Sequence, residues 1–260
     1  MTPERFGDVS VAITNHVALV EIHRPPHNHV NVELIRSLAD AFEALDADPA
    51  ARAIVLATEG KAFCGGADLQ ARGGIGDGNN AMVNPLYQAA VRLFSCKTPI
   101  VAAVQGAAVG AGLGLALVAD FRVAAPEARF TANFVKLGFH PGFGLTHTLP
   151  RLIGEHRAKL MFLTGRRLKA DEALQWGLVD LVVPMEELRA AALALAGEIA
   201  ENAPLAVCST RSTLRQGIAE AVKAATDREF AEQNWLMKTA DFAEGVRAVN
   251  ERRPGKFTGS

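Results

Sequence analysis

Apolar positions along the first two-thirds of the chain follow two rhythms in turn. Residues 9–13 and 17–23 are β-rich runs on either side of Thr14-Asn15-His16, which predicts a pair of strands. Ile35, Leu38, Phe42 and Leu45 then recur at three- and four-residue intervals, the stripe of a helix with one buried face. Residues 53–58, Ala-Ile-Val-Leu-Ala-Thr, and residues 99–104, Pro-Ile-Val-Ala-Ala-Val, are short unbroken apolar runs that read as buried strands. Shorter strands are expected at 121–124 and 129–131. Strands alternating with helical patterns predict an α/β fold in which parallel strands are joined by crossover helices. The last third changes character: residues 186–202, 205–217, 218–237 and 240–251 carry helix formers with apolar residues at helical spacing.

Two glycine-bearing turns interrupt this pattern. Residues 106–114, Gly-Ala-Ala-Val-Gly-Ala-Gly-Leu-Gly, lie between the run at 99–104 and a helix-forming run at 115–119. The first N–H groups of such a helix have no partner within it, and the aligned peptide dipoles add about half a positive charge there. A phosphate, a developing oxyanion, or a close-packed turn with nothing bound all fit this segment. The run at 53–58 empties into a second turn, with Gly65 and Gly66 ahead of a helical start. The turns at 65–68 and 110–114 are about 45 residues apart, which allows adjacent crossover units opening on one side of a sheet. Two N–H groups would then converge on one oxygen; two unrelated packed turns are the alternative. Residues 71–80 are rich in glycine and asparagine and read as a surface loop able to serve as a lid.

Composition narrows the function classes. The 260 residues include 49% hydrophobic and 21% charged, ordinary for a chain that buries a large core. With 27 basic and 28 acidic residues there is no global pull toward nucleic acid or an anionic membrane, so a polyanionic ligand would be held locally. Three cysteines without C-x-x-C spacing fit a reducing compartment, with the cytoplasm as the expectation, and argue against a disulfide framework or a zinc site. The first ten residues lack the pattern of a signal peptide. The longest apolar region, 99–119, is broken by Gln105 and by glycines at 106, 110, 112 and 114, so no bilayer span is expected. Gly110-Ala-Gly112 follows a strand, but the third glycine of a dinucleotide fingerprint would fall on Leu115, and no Gly-x-Ser-x-Gly elbow occurs.

Arg24-Pro-Pro-His-Asn-His29, Phe63-Cys-Gly-Gly-Ala-Asp-Leu69, Pro99 to Gly106, Gly110-Ala-Gly112 with Ala119-Asp120, Gly138-Phe-His-Pro-Gly142, Leu163-Thr-Gly165, Ala173 to Val179 and Arg253 to Phe257 occur in that order. Together they resemble the crotonase family, also called enoyl-CoA hydratase/isomerase. The resemblance implies a crotonase-like spiral of ββα units over residues 1–197 and a C-terminal helical trimerisation region over 198–260. It implies a homotrimer or dimer of trimers, an acyl-CoA substrate, and no permanently bound cofactor beyond the coenzyme A of that substrate. It maps an oxyanion hole onto the N–H groups of Ala67 and Ala111. Pro26, His27, Asn28, His29, Ala67, Asp68 and Leu69 would line coenzyme A, with Lys256 reaching its phosphates.

The chain departs from the family pattern where hydratases carry their two glutamates. Those positions match Gly114 and Phe134, so the paired acid and base that add water have no obvious carriers. Gly114 and Phe134 predict an acyl pocket wider at one wall and apolar at another, suited to a bulky or cyclic acyl group. Tyr87 and His140 are the polar groups placed to take over, the first as a donor to the thioester and the second as a base with an ordinary pKa near neutrality. A buried tyrosine with a local partner and a histidine at the subunit surface are the alternatives. Asp68 reads as a helix cap. His27 and His29 lack a third ligand-type neighbour, so no metal site is expected. Two functions follow: an enzyme that holds a thioester enolate in a two-N–H hole, or a non-catalytic acyl-CoA-binding homologue.

Overall fold

The β-rich runs at the start of the chain form an antiparallel meander in the computed structural model, which describes residues 2, 4–67 and 84–260. Strands β1 (Arg5–Phe6), β2 (Val9–Thr14) and β3 (Val17–Ile22) pair in order, with Val9 opposite Ile22 and Thr14 opposite Val17. Asn15 and His16 both take positive φ, 49° and 65°, as a two-residue hairpin turn matched to strand twist requires. Helix α1 (Val32–Asp46) follows, with the Asn31 side chain accepting the Leu34 N–H as a cap worth about 1 kcal/mol. Its stripe of Ile35, Leu38, Phe42 and Leu45 is buried as expected.

The unbroken apolar runs become central parallel strands. β4 (Ala53–Thr58) pairs with β3; after α2 (Pro85–Phe94), β5 (Ile100–Val104) pairs with β4. Then come β6 (Ala107–Val109), α3 (Ala111–Ala116), β7 (Phe121–Ala124), β8 (Arg129–Thr131), a 3-10 turn at Asn133–Leu137, α4 (Leu145–Ile153), α5 (Glu155–Thr164), β9 (Arg167–Lys169), α6 (Ala170–Trp176) and β10 (Leu181–Val182). One sheet orders its strands β1-β2-β3-β4-β5-β7-β10, and a second, β6-β8-β9, stands beside it. β4 and β5 are apolar on both faces because both are covered. The α1 side holds the main core, and the other face packs Val55, Ala57, Val101 and Ala103 under Leu188, Ala192 and Ala196 of α7 (Leu188–Ala200).

The helical last third is α7, α8 (Pro204–Leu214), α9 (Ile218–Leu236) and α10 (Ala240–Asn250), with α7 running through the expected division at 197/198. α9 lies on α2 and α4, and α10 on the 3-10 turn, so this region buries much of its apolar surface on its own body. α8 is different: Leu205 and Leu214 are 86% and 74% exposed. It is tied down by charge, since Arg211 donates to Asp120 and to the Cys96 carbonyl while Arg215 donates to the other Asp120 oxygen. Among the described residues no single helix is long and apolar enough to cross a membrane.

Candidate active site

The two glycine-bearing turns lie side by side. Cys64 forms a parallel bridge with Ala108: its N–H donates to the Ala107 carbonyl at 2.9 Å, and the Val109 N–H donates to the Cys64 carbonyl at 3.0 Å. Ala67 bridges Val30 in the same way, with the Val30 N–H on the Gly66 carbonyl at 3.0 Å. Gly112 stands so close to the first turn that a Cβ there would overlap the Cys64 carbonyl, so the approach needs a residue without a side chain. Among the described residues the N–H groups of Ala67 and Ala111 donate to no acceptor. For Ala111 the reason is its place as the first residue of α3, where the helix offers no partner. Burial pushes the Cys64 thiol up to about 12, so this sulfur beside the turns stays protonated at neutral pH and supplies no nucleophile.

Aromatic rings occupy both places where the family pattern has a carboxylate: Phe134 itself, and Phe143 over Gly114 of α3. The Phe134 ring lies against Gly110, its Cζ 3.4 Å from where a Cβ would stand. At Gly114 the expectation of a wider wall is overturned. The Phe143 ring fills that volume, with Cδ1 2.6 Å and Cγ 2.9 Å from the position of a Cβ, and Phe143 is 1% exposed. The sequence shows the missing side chain at 114 but not the ring that replaces it, which arrives from a loop well downstream.

That loop, 140–144, is held by side chains from α2 and α9. The Tyr87 hydroxyl donates to Gln233 Oε1 at 2.8 Å, and Gln233 Nε2 donates to the carbonyls of His140 and Pro141 at 3.0 and 3.2 Å. A Cβ on Gly142 would overlap the Tyr87 oxygen. Glu229 accepts the Gly144 N–H, the Thr146 N–H and the Thr146 hydroxyl, so a carboxylate from α9 caps the start of α4. Burial pushes the Glu229 carboxyl up, against the hydrogen bonds from Thr146 and Gly144. Burial also pushes the Tyr87 phenol up, and its hydroxyl has a local protein partner rather than a free aim at the turns. Gln233 and Glu229 escaped sequence reasoning because α9 mixes polar and apolar residues on its buried face: Val222, Thr226, Glu229, Phe230 and Gln233.

His140 turns toward α9 and α10. It borders an open cavity of about 560 Å³ with Phe139, Phe162, Trp235 and Leu236, and its Nδ1 donates to the Pro141 carbonyl at 2.8 Å. Neither Ala67 nor Ala111 lines that cavity.

The segment expected along coenzyme A is braced by Asn28. This residue is 1% exposed, and its Nδ2 donates to the carbonyls of Glu59 and Ala62 while its Oδ1 accepts the Arg24 N–H. Its side chain therefore serves the protein's own main chain rather than a ligand. The His27 carbonyl accepts the Gly65 N–H, and His29 Nδ1 donates to the Gly66 carbonyl, which ties 27–29 to the first turn. Pro26 lies beside Gly60 in the same segment. Asp68, Leu69 and the expected lid at 71–80 lie outside the described residues. Lys256 is exposed on a terminal stretch folded against α10, where its N–H and Arg253 both donate to Glu244 and hold that carboxyl down at about 2.

The sequence model of the family described as enoyl-CoA hydratase/isomerase matches residues 12–260. The crotonyl-CoA hydratase of Syntrophomonas wolfei is 34% identical over 244 residues, spanning 93% of this chain and 94% of that protein. Among crystal structures, an enoyl-CoA hydratase/isomerase from Pseudoalteromonas atlantica T6c superposes with a TM-score of 0.86 at 34% identity, over 96% of this chain and 100% of that one. A carnitinyl-CoA hydratase from Mycobacterium avium does so with a TM-score of 0.84 at 33% identity, over 97% and 99%.

Proposed function

The chain belongs to the enoyl-CoA hydratase/isomerase family, and from that premise we propose that it holds an acyl-CoA thioester with its carbonyl oxygen between the N–H groups of Ala67 and Ala111. The observation that carries this reading is that both donors are unpaired among the described residues, on segments locked together by the Cys64–Ala108 bridge. Two fixed donors favour the enolate, in which the oxygen carries negative charge, over the neutral thioester. The reaction is hydration, double-bond migration or a related enolate step whose proton carrier is not a glutamate at 114 or 134. Coenzyme A would run along Pro26, His27 and His29, with Lys256 meeting a phosphate. The exposed Leu205 and Leu214 of α8 support burial against further copies, as a trimer or dimer of trimers. Three free thiols support a reducing, cytoplasmic setting.

A second reading, an acyl-CoA binder without turnover, is favoured by Phe143, because it leaves neither an ionisable group nor room for one at Gly114. Calorimetry with acyl-CoAs beside a turnover assay on linear, branched and aromatic enoyl-CoAs separates the two. Binding with no turnover on the whole panel establishes the binder. Ala111→Pro tests the hole, since proline is tolerated at the first position of a helix and removes the N–H. The expected result is a fall in kcat/KM of about 10²–10³; an unchanged value rejects the placement of the carbonyl.

A further inference from the structure

Gly114 and Phe143 share one volume, and we propose that the Phe143 ring is the specificity-determining group of the acyl site, excluding thioesters whose acyl group is branched or ring-bearing on the α3 side. This rests on the acyl-CoA reading above. The ring is not simply filling a gap left in a core. Phe143 takes φ +64°, a left-handed conformation that a bulky residue adopts only when its surroundings impose it. The surroundings do so from two sides. Gln233 grips the carbonyls of His140 and Pro141, Tyr87 fixes Gln233, and Glu229 takes the Gly144 N–H. Gly144 in turn has Val222 Cγ1 2.7 Å from where its Cβ would stand. Helices α2 and α9 thus aim one strained aromatic residue at Gly114 of α3.

The consequence is a closed, apolar wall one turn along α3 from Ala111. With Cδ1 2.6 Å from a Cβ position at 114, the ring leaves no recess there for a β-substituent of the acyl group. A change of one methylene in an apolar pocket alters selectivity by about 10–200-fold, so removing a ring should be readily measured.

The test compares binding of butyryl-CoA with that of isovaleryl-CoA and benzoyl-CoA by calorimetry, for the full chain and for Phe143→Ala and Phe143→Leu. The expected result is that Phe143→Ala shifts the affinity ratio at least tenfold toward the bulkier thioesters, and Phe143→Leu shifts it the same way by less. Phe143→Leu carries the test if the alanine variant fails to fold. Binding of all three thioesters with unchanged ratios overturns the role of Phe143 and leaves the acyl-CoA reading standing. No binding of any thioester by the unaltered chain overturns the acyl-CoA reading itself. Shared volume is checked separately by melting. Gly114→Glu should lower Tm, and Gly114→Glu with Phe143→Ala should recover part of that loss; strictly additive losses would overturn the sharing.

Discussion

Two parts of the candidate site are held in place by opposite means. The turns at 64–67 and 110–112 are fastened by main-chain hydrogen bonds, Cys64 to Ala107 and Val109 to Cys64, and by a glycine that lets the backbones touch. The loop at 140–144 is fastened by side chains, Tyr87, Gln233 and Glu229, from two helices remote in the chain. Main-chain fastening depends on close approach and little on residue type, so it fails when something bulky is inserted. Side-chain fastening depends on individual polar atoms, so it fails when one of them is removed.

The largest effect is expected where backbones meet. Gly112→Ala drives a Cβ into the Cys64 carbonyl and should cost about 3 kcal/mol, the upper end of ordinary overpacking. At about 2–4 °C per kcal/mol for a chain of this size, thermal melting should show a fall of roughly 10 °C. An unchanged Tm would mean the two turns are not in contact.

Removing one polar atom from the other fastening should cost less. Tyr87→Phe leaves the buried Gln233 oxygen without its donor, for a loss of about 1–2 kcal/mol in urea unfolding. Hydrogen exchange should quicken at 140–144 and not at 107–112. Equal quickening in both places would show that the two fastenings are one unit.

Glu229 gives a slope rather than a step. Burial raises its folded-state pKa above the unfolded carboxylate value of about 4.3, so the folded chain binds more protons in the interval between them. Its contribution to stability is therefore full below the unfolded value and declines as pH rises through the folded one. The stability of the unaltered chain relative to Glu229→Gln should fall from pH 4 to pH 7. A rise would show that the N–H groups of Gly144 and Thr146 outweigh the cost of burial.

The smallest effect belongs to a contact outside both regions. Arg92 of α2 meets Asp40 and Glu43 of α1 at the surface, and Arg92→Ala should cost at most about 1 kcal/mol, less at high salt. Arg92→Ala matching Tyr87→Phe in urea unfolding would undo the distinction between buried and exposed polar contacts.

The elements that carry main-chain fastening were legible in the sequence. The runs at 53–58 and 99–104 read as buried strands, the four late helices fall within three residues of their expected limits, and the spacing of the two turns allows the adjacency that the Cys64–Ala108 bridge shows. The acyl wall was not legible. Gly114 reads as an opening until Phe143 is seen in it, and Tyr87 reads as either a donor to the thioester or a buried tyrosine with a local partner until Gln233 is seen beside it.

The sequence by itself determined the α/β alternation, the glycine turns and the family, because periodicity, turn chemistry and motif order are local properties of the chain. Only the tertiary structure decided what fills the space beside α3 and where the buried polar atoms of α9 find partners. Volume and hydrogen-bond partners are shared between residues far apart in sequence, and which residue fills a given space is settled only when the elements pack.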